Sequence, residues 1–326
     1  MTQLLSLDFW SLVGAVSGIY AIYSLGLQLQ FGYTGLLNFG HVASMAVGAY
    51  TMAILVVRAD FPLWAASLAA IAAGMVFGAA LSLPTLRLRT DYFAITTIAI
   101  SEIVRYFALN EQSLTGGPLG TSNLKGPTQV TEYNGDWVSF QATVQGWLHH
   151  LVGGHASSDF TMLVLVWVVV LACLVVLTPM VRSPWGRVLR GIREDEDAVA
   201  ALGKPVAWYK LQSLALGAGF GAVAGLLYAF EFQFFSPDDF DPLITFYAWL
   251  IVLIAGAGRI WAVPVGALIF GLIFSGTRFF NFKPFTYLDA AQLAYLRYMI
   301  IGAILIALMA WRPQGLFGKR EELVLE

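Results

Sequence analysis

The side chains best suited to chemistry in this sequence are a few polar groups set among apolar residues. Asn38, His41 and Ser44 follow one another at intervals of three, and Gly35 and Gly40 lie beside them. Amide, imidazole and hydroxyl groups donate and accept hydrogen bonds, so these residues could hold a polar solute. They form no converging acid–base or nucleophilic set, and we therefore expect hydrogen bonding here rather than covalent catalysis.

Motifs for nucleotide binding, metal binding and hydrolysis are missing from the sequence. It contains no G-x-x-x-x-G-K-[ST], H-E-x-x-H or G-x-S-x-G pattern. His149, His150 and His155 lie close together, but no cysteine or carboxylate completes a set at metal-ligand spacing. We predict that these histidines are solvated, and that the chain itself holds no metal and no cofactor.

Glu102 and Arg105 are opposite charges within an apolar run, three residues apart on one face of a helix. Charges at this spacing can neutralise each other, which lowers the cost of placing them in apolar surroundings. Two interpretations stay open: a structural ion pair, or side chains that line a solute pathway. Three carboxylates further along the chain are expected to be hydrated in an external loop: Asp238, Asp239 and Asp241.

A dense charged stretch interrupts the apolar sequence at residues 182–203. Seven charged side chains lie between Arg187 and Asp197. Placing them at the centre of a bilayer would cost on the order of 20 kcal/mol, so this stretch must lie in water. We predict that it contacts another protein through these residues: Arg187, Arg190, Arg193, Glu194, Asp195, Glu196, Asp197, Ala198 and Gly203.

Signals for two short helices are present within this charged stretch. Ser183 followed by Pro184 is typical of a helix start, with a capping hydroxyl and a proline in the first turn. The acidic residues 194–197 favour the start of a second helix, and Gly203 followed by Pro205 favours its end. We predict two amphipathic helices at the membrane surface. A plain solvated loop would explain the charge but not these signals.

Composition places the chain in a membrane. Its 326 residues are 58% hydrophobic and 12% charged, whereas soluble domains carry about 25% charged residues. Many apolar runs reach the roughly 20 residues that a helix needs to cross a bilayer. The net charge of −2 gives no reason to expect nucleic acid as a partner, and the single cysteine, Cys173, excludes a disulfide within the chain. The sequence therefore predicts an all-α polytopic integral membrane protein in contact with the lipid bilayer.

We predict about nine transmembrane helices in one domain of residues 1–326. The expected spans are residues 9–29, 33–57, 63–86, 92–109, 160–181, 211–230, 244–255, 262–279 and 294–311. The second span contains several glycines, which disfavour a continuous helix. It is either a broken or re-entrant segment beside a solute path, or a tight helix crossing in which His41 caps a neighbour. The seventh span is short, and Gly256-Ala257-Gly258 marks either its end or a break.

The distribution of basic residues sets the expected orientation. If the charged stretch faces the cytoplasm, twelve of the eighteen basic residues fall on that side, in agreement with the positive-inside rule. The N-terminus is then external and the C-terminus cytoplasmic, which an odd number of spans requires. In this arrangement residues 110–159 form an external loop, and residues 182–210 form a cytoplasmic coupling loop.

Small residues are expected to bring the apolar helices together, because lipid tails are as apolar as leucine and offer no hydrophobic driving force for association. Glycine at four-residue spacing lets two backbones approach closely. The spacing occurs as Gly217, Gly221 and Gly225, as Gly14 and Gly18, and as Gly74 and Gly78. We interpret these glycines first as helix-packing features.

A known family shares the charged stretch and other motifs. Asp197-Ala198-Val199-x-x-x-Gly203 resembles the E-A-A-x-x-x-G loop of ABC importer permeases, with Asp for Glu, Val for the second Ala, and no downstream I-x-L-P. Nearly the whole chain is similar to the LivM-type branch of branched-chain amino acid permeases. The similarity is carried by Gly186-Arg187, Gly191-Ile192-Arg193-Glu194-Asp195-Glu196, Ala201-Leu202-Gly203, Gly32-Tyr33-Thr34-Gly35, Asn38-Phe39-Gly40-His41, Gly48-Ala49-Tyr50, Thr115-Gly116-Gly117, Gly120 and Gly256-Ala257-Gly258.

The resemblance implies a permease subunit of an ATP-binding-cassette importer in a bacterial or archaeal plasma membrane, with no enzyme activity of its own. A LivH-type permease would complete the path, two ATPase subunits would bind ATP and Mg²⁺ and dock on the charged loop, and an extracytoplasmic substrate-binding protein would dock outside. Part of the path would be lined by Gly35, Asn38, Gly40, His41 and Ser44.

The solute is the least determined part of this expectation. The resemblance favours branched-chain or other neutral amino acids, and the family also includes permeases for urea or short-chain amides. An ATP-independent secondary transporter or channel is the alternative from a different class. This alternative predicts uptake without ATP hydrolysis and a carboxylate in the middle of a span.

Overall fold

The computed structural model describes residues 7–85, 88, 90–124, 139–148, 158–276, 290–311 and 315–317. In these ranges the regular structure is helical, and no strand is formed. The principal helices are α1 (Leu7–Leu27), α2 (Val42–Ala59), α3 (Leu63–Thr85), α4 (Thr90–Asn110), α5 (Ser158–Arg182), α6 (Pro184–Glu194), α7 (Glu196–Ala201), α8 (Val206–Phe232), α9 (Leu243–Ala255), α10 (Val263–Gly276) and α11 (Ala290–Trp311). The predicted all-α class is confirmed.

Six helices in the described part of the chain are long and apolar enough to cross a membrane. They are Phe9–Tyr33, Val42–Ala59, Leu63–Pro84, Asp91–Asn110, Asp159–Arg182 and Val206–Phe232, and each overlaps one of the first six predicted spans. Helix α11 covers the residues predicted as the ninth span.

The predicted seventh and eighth spans form one bent pair. Pro237–Ala255 and Ile260–Phe274 meet at an angle of 111°, which raises the number of candidate spans to seven if the pair counts as one. Helices α9 and α10 contain 13 and 14 residues, or about 20 Å each, which is less than the roughly 30 Å hydrocarbon core of a bilayer. The glycine-rich sequence between them is therefore a break, where the chain turns, and not the end of a clean span.

Helix α1 lies at the centre of the bundle. Its apolar window is 89% buried, whereas that of α4 is 22% buried, so α1 is surrounded by protein and α4 presents most of its surface outward. Helix α8 packs against α1, α2 and α3. Helix α1 also packs closely against α5 at two glycines. Side chains at Gly14 and Gly18 would overlap Leu163 and Val166 of α5.

The glycine ridge of α8 is a packing surface, as predicted. A side chain at Gly225 would overlap the carbonyl of Met45 on α2, and one at Gly217 would overlap Gln30. Across the same interface, a side chain at Gly48 or Gly74 would overlap Ala222. Glycine at these positions lets three helices approach closely, which places the start of α2 against the middle of α8.

The second predicted span is broken. Helix α1 ends in a π-helical turn, Gln28–Tyr33, the chain is irregular from 34 to 41, and α2 begins at Val42. The predicted helical start at residue 33 was therefore wrong by nine residues. Gly35 has a φ of +76°, a conformation that glycine adopts without strain. Helix α1 ends close to the bend between α9 and α10, because Tyr33 Oη donates a hydrogen bond to the Gly258 carbonyl at 2.7 Å.

Candidate functional site

The irregular residues 34–41, which we call the broken segment, alternate between two environments. Every second residue is buried against the bundle: Thr34, Leu36, Asn38 and Gly40. The residues between them are half-buried and face the surface of the chain: Gly35, Leu37 and Phe39. Burial thus alternates along the broken segment, which presents one face inward and the other outward.

Asn38 holds the inward face of the broken segment. Its Nδ2 donates to Gln30 Oε1 at 2.9 Å, and its Oδ1 accepts from the Gly40 backbone N–H at 3.0 Å. Trp249 Nε1 on α9 donates to the Asn38 carbonyl at 3.3 Å. Because the side chain is 3% exposed, these bonds replace those that the amide would make with water.

His41 and Ser44 are buried at the start of α2, with 1% and 2% of their surfaces exposed. The His41 ring stacks on Tyr23 at 4.8 Å between ring centres, and its Nε2 lies 3.2 Å from the Tyr23 carbonyl. Ser44 Oγ donates to the His41 carbonyl at 2.6 Å. The second span is thus broken, which was one of the two predicted alternatives. His41 does not cap a neighbouring helix, because the Tyr23 carbonyl that it contacts lies within α1 and not at its end.

The structure brings the five predicted path residues together, but mostly on the inward face. Asn38, Gly40, His41 and Ser44 are enclosed by this chain's own helices, and Gly35 is half-buried beside Arg193. A side chain at Gly40 would overlap the Thr97 carbonyl of α4. Contact of these residues with a solute stays a prediction.

Sequence reasoning missed the apolar side chains on the outward face. Phe39 stacks on Trp249 with 4.8 Å between ring centres and lies 5.5 Å from the Phe246 ring. Phe246 is 40% exposed, and Leu37, two residues before Phe39, is half-buried. The sequence carries no polar and apolar alternation that would mark this face, since Leu36 is buried and Leu37 is half-buried.

The predicted pair of short helices in the charged stretch is confirmed as α6 and α7. Pro184 occupies the first turn of α6, but Ser183 does not cap it: its Oγ donates to the Met180 carbonyl instead. Asp195 caps α7, where its Oδ1 accepts from the backbone N–H groups of Asp197 and Ala198, both at 3.0 Å. Gly203 ends this region with a φ of +77°, as expected for a glycine after a helix.

Most of the predicted contact residues of the charged loop point into solvent. The exposed ones are Arg187, Arg190, Glu194, Asp195, Glu196, Asp197, Ala198 and Gly203, whereas Arg193 is half-buried. Two exposed apolar side chains adjoin them and were not predicted, since Leu202 is 80% exposed and Trp208 is 56% exposed. Single exposed apolar residues are common on protein surfaces, so contact of the charged loop with another protein stays a prediction.

The charged loop is fastened to the bundle at several points. Lys210 Nζ on α8 forms an ion pair with Glu196 of α7. Trp185 Nε1 on α6 donates to Gln212 Oε1 at 2.7 Å. Gly186 has no space for a side chain, because one would overlap the Val181 carbonyl of α5. The two short helices therefore have a defined position relative to α5 and α8.

Glu102 and Arg105 form an ion pair with 2.8 Å between Oε2 and Nη2. Arg105 Nη1 also contacts Asp238 Oδ1 at 2.9 Å, so Asp238 is not simply hydrated as predicted. Asp239 accepts bonds from the backbone and hydroxyl of Ser236 and so stabilises a short turn. The pair thus belongs to a triad that links α4 to the turn before α9.

Some predicted residues lie outside the described part of the chain. These are His149, His150 and His155, together with much of the predicted external loop 110–159. The described residues of that loop include Thr121, whose backbone N–H donates to the Phe235 carbonyl at 3.0 Å. This contact joins the start of the loop to the residues that follow α8.

Comparisons with known proteins agree on one family. Residues 11–309 match the family described as branched-chain amino acid transport system / permease component. The chain is 34% identical over 318 residues to the high-affinity branched-chain amino acid transport system permease protein LivM of Escherichia coli (strain K12), with 93% of this chain and 69% of the relative covered. No solved structure matches the chain.

Two further relatives show the breadth of the similarity. The probable branched-chain amino acid transport permease protein LivM of Methanocaldococcus jannaschii is 28% identical over 360 residues, which cover 97% of this chain and 95% of the relative. The permease protein LivH of Escherichia coli (strain K12) is 26% identical over 316 residues, which cover 93% and 92%. With its apolar helices and the family match over most of its length, this multi-pass membrane chain belongs to the branched-chain amino acid transport permease family.

Proposed function

We propose that the chain is one of two permease subunits of an ATP-driven importer for branched-chain or other neutral amino acids. Its partners in this proposal are a LivH-type permease, two ATPase subunits that bind ATP and Mg²⁺, and an extracytoplasmic substrate-binding protein. The family match and the names of the relatives support this assignment. The assembly would lie in a bacterial or archaeal plasma membrane.

The charged loop is the proposed docking surface for the ATPase. Helices α6 and α7 expose carboxylates, and Leu202 directly after α7 is also exposed, on a surface fastened to α5 and α8. A partner that buries Leu202 would gain the hydrophobic contribution, and charged partners would set its orientation. This surface is the single observation that carries the ATP-driven part of the proposal. Docking of an ATPase would explain why charged and apolar side chains are exposed on it together.

The broken segment is the proposed wall of the translocation path. Irregular backbone at membrane depth must be covered by protein or border a water-filled cavity, because lipid cannot satisfy its polar groups. Among the described residues, no group donates a hydrogen bond to the carbonyls of Gly35, Leu37 or Phe39. Three carbonyls of the segment thus accept no hydrogen bond from the described residues, and the apolar side chains of Leu37, Phe39 and Phe246 are partly exposed beside them.

Such a face fits a branched-chain amino acid moving past it. Carbonyl oxygens could accept hydrogen bonds from the α-ammonium group, as the carbonyls of unwound helices coordinate cations in other transporters. The apolar rings and Leu37 could contact the aliphatic side chain. In this refined proposal Asn38, His41 and Ser44 hold the wall in place from behind and do not line the path themselves.

The proposed orientation follows from the same loop. With residues 182–210 in the cytoplasm, the N-terminus is external and the C-terminus cytoplasmic. The Arg105 triad, at the opposite end of the bundle, then lies toward the outside, near the surface where a binding protein would dock. Our proposal of nine spans counts the two halves of the bent α9–α10 pair as two short crossings, which keeps the number of spans odd.

Co-purification followed by reconstitution tests the proposed function. The affinity-tagged chain is solubilised from its native membranes, and we expect an ATPase with a phosphate-binding loop and a second permease to accompany it. Vesicles that contain this complex should take up leucine, isoleucine or valine only when ATP and the binding protein are present. Uptake driven by an ion gradient without ATP would contradict the proposal.

A further inference from the structure

Arg193 differs from the other charged residues of α6. Arg187 and Arg190 are exposed on the same helix, whereas Arg193 is half-buried and turned toward the bundle. Its Nη1 donates a hydrogen bond to the carbonyl of Gly32, in the last turn of the π-helical end of α1. Its side chain passes over Gly35, where an added Cβ would lie 3.1 Å from Arg193 Cγ.

The carbonyl that Arg193 contacts lies where two breaks in the fold meet. The first break is the change from the π-helical turn to the broken segment. The second is the bend between α9 and α10. Gln28 Nε2 donates to the Gly256 carbonyl at 3.0 Å, and Tyr33 Oη donates to the Gly258 carbonyl at 2.7 Å. The two breaks are thus hydrogen-bonded to each other.

The guanidinium group of Arg193 lies at this junction. A Cβ added at Gly258 would be 3.3 Å from Arg193 Nη1, and one added at Gly32 would be 2.7 Å from the Gly258 backbone nitrogen. The last carbonyls of a helix lack donors within the helix and carry partial negative charge, so a cation is favoured beside them. Arginine offers several donors in a rigid plane, and it can hold its position there better than a flexible ammonium group.

We propose that Arg193 is a positioning residue that transmits movement of the charged loop to both breaks at once, an inference that rests on the proposed function. The exposed side of α6 faces the proposed ATPase, and Arg193 reaches from its other side to the breaks. Helices resist bending, whereas breaks absorb changes in backbone angles. A displacement of α6 therefore acts on the broken segment and on the α9–α10 bend, which are the places where the path can open.

The number of solute molecules transported per ATP hydrolysed tests this role. The complete transporter is reconstituted in vesicles, and uptake and ATP hydrolysis are measured in the same sample. Arg193→Ala should keep the ATPase bound and hydrolysing while transport per ATP falls about tenfold, the effect of losing one charge-assisted hydrogen bond at the transmission step. Arg193→Lys should restore part of the ratio because it keeps the charge.

Arg190→Ala is the matched comparison, since it removes the same side chain from the exposed face of the same helix. It should weaken ATPase binding, and lower hydrolysis and uptake together, with transport per ATP unchanged. If Arg193→Ala behaves in this way too, Arg193 contacts the ATPase and the inference is overturned. If the wild-type complex binds no ATPase, or transports without ATP, the proposed function fails, whatever the Arg193 variants show.

A gentler substitution covers the case in which Arg193→Ala does not fold. Tyr33→Phe keeps the ring and removes the hydroxyl that joins the two breaks. We expect a smaller fall in transport per ATP, about threefold, because one neutral hydrogen bond is lost. If Arg193→Ala does not fold, a wild-type ratio of transport to ATP hydrolysis in Tyr33→Phe overturns transmission through this junction.

Discussion

The charged loop and the broken segment place their polar residues in opposite ways. In the loop, the carboxylates, Arg187 and Arg190 point into solvent, and the apolar residues Leu189 and Ile192 are buried beneath them. In the broken segment, Asn38 is buried, and Leu37 and Phe39 lie on the outward side. The exposed surface of the charged loop is thus polar, whereas the outward side of the broken segment is apolar.

The difference follows from the surroundings of each region. Water accepts charged side chains at no cost, so a loop outside the membrane turns them outward. Within apolar surroundings, an amide or imidazole must find partners inside the protein, so it turns inward. In the broken segment, the buried polar residues therefore indicate where hydrogen bonds fix the backbone to the bundle. The residues between them form the face that is available to a partner or a solute.

Reversing charge on the loop should have the largest effect. Glu194→Lys with Asp197→Lys replaces two exposed carboxylates, and it leaves the capping residue Asp195 in place. If the loop binds the ATPase, like charges will oppose docking, and ATP-driven uptake should fall by about two orders of magnitude. Uptake and co-purified ATPase are measured, with the thermal unfolding temperature as a control for folding. Undiminished ATPase binding would contradict the proposal that the charged loop is the docking surface.

Filling the inward face of the broken segment should affect stability rather than docking. Gly40→Val places a side chain against the Thr97 carbonyl, and neither backbone can easily move. Overpacking of this kind costs about 1–3 kcal/mol or more, which thermal unfolding in detergent would detect. Gly146→Ala is the comparison, because nothing lies within 4 Å of an added Cβ there, and its unfolding temperature should not fall.

Truncations on the two faces of the broken segment should separate stability from transport. Asn38→Ala leaves Gln30 Oε1 and the Gly40 N–H without their partner, at a cost of about 1–3 kcal/mol. Leu37→Ala should lower the unfolding temperature less but change the apparent affinity for leucine relative to alanine. Equal effects of both variants on stability and no effect of Leu37→Ala on selectivity would contradict the assignment of the outward face.

The Arg105 triad should give the smallest effect. The Asp238 side chain is 72% exposed, and exposed ion pairs contribute about 0–1 kcal/mol. Asp238→Asn should therefore change the unfolding temperature by little, whereas Glu102→Gln, at 29% side-chain exposure, should change it more. A large loss of uptake in Glu102→Gln with unchanged stability would favour the pathway interpretation that the sequence left open.

Charge and glycine patterns predicted much of this architecture. The positions of the helix breaks, and the direction in which individual side chains point, could not be derived in full from the sequence. The cost of burying charge located the loop and its two helices, and the spacing of Gly217, Gly221 and Gly225 located the α8 interface. The bend at Gly256–Gly258 was only one of two readings, because glycines end helices as well as break them. The inward turn of Arg193 and the buried state of His41 depend on contacts with distant residues, Gly32 and Tyr23.

Accessibility of Ala200 tests most directly whether the charged loop is a cytoplasmic docking surface. Ala200 is exposed on α7, and Cys173 is buried, so Ala200→Cys in a Cys173→Ala background offers one reactive thiol. A membrane-impermeant maleimide should label it in inverted vesicles and not in intact cells, and bound ATPase should protect it. Labelling from the outside of intact cells would contradict the account.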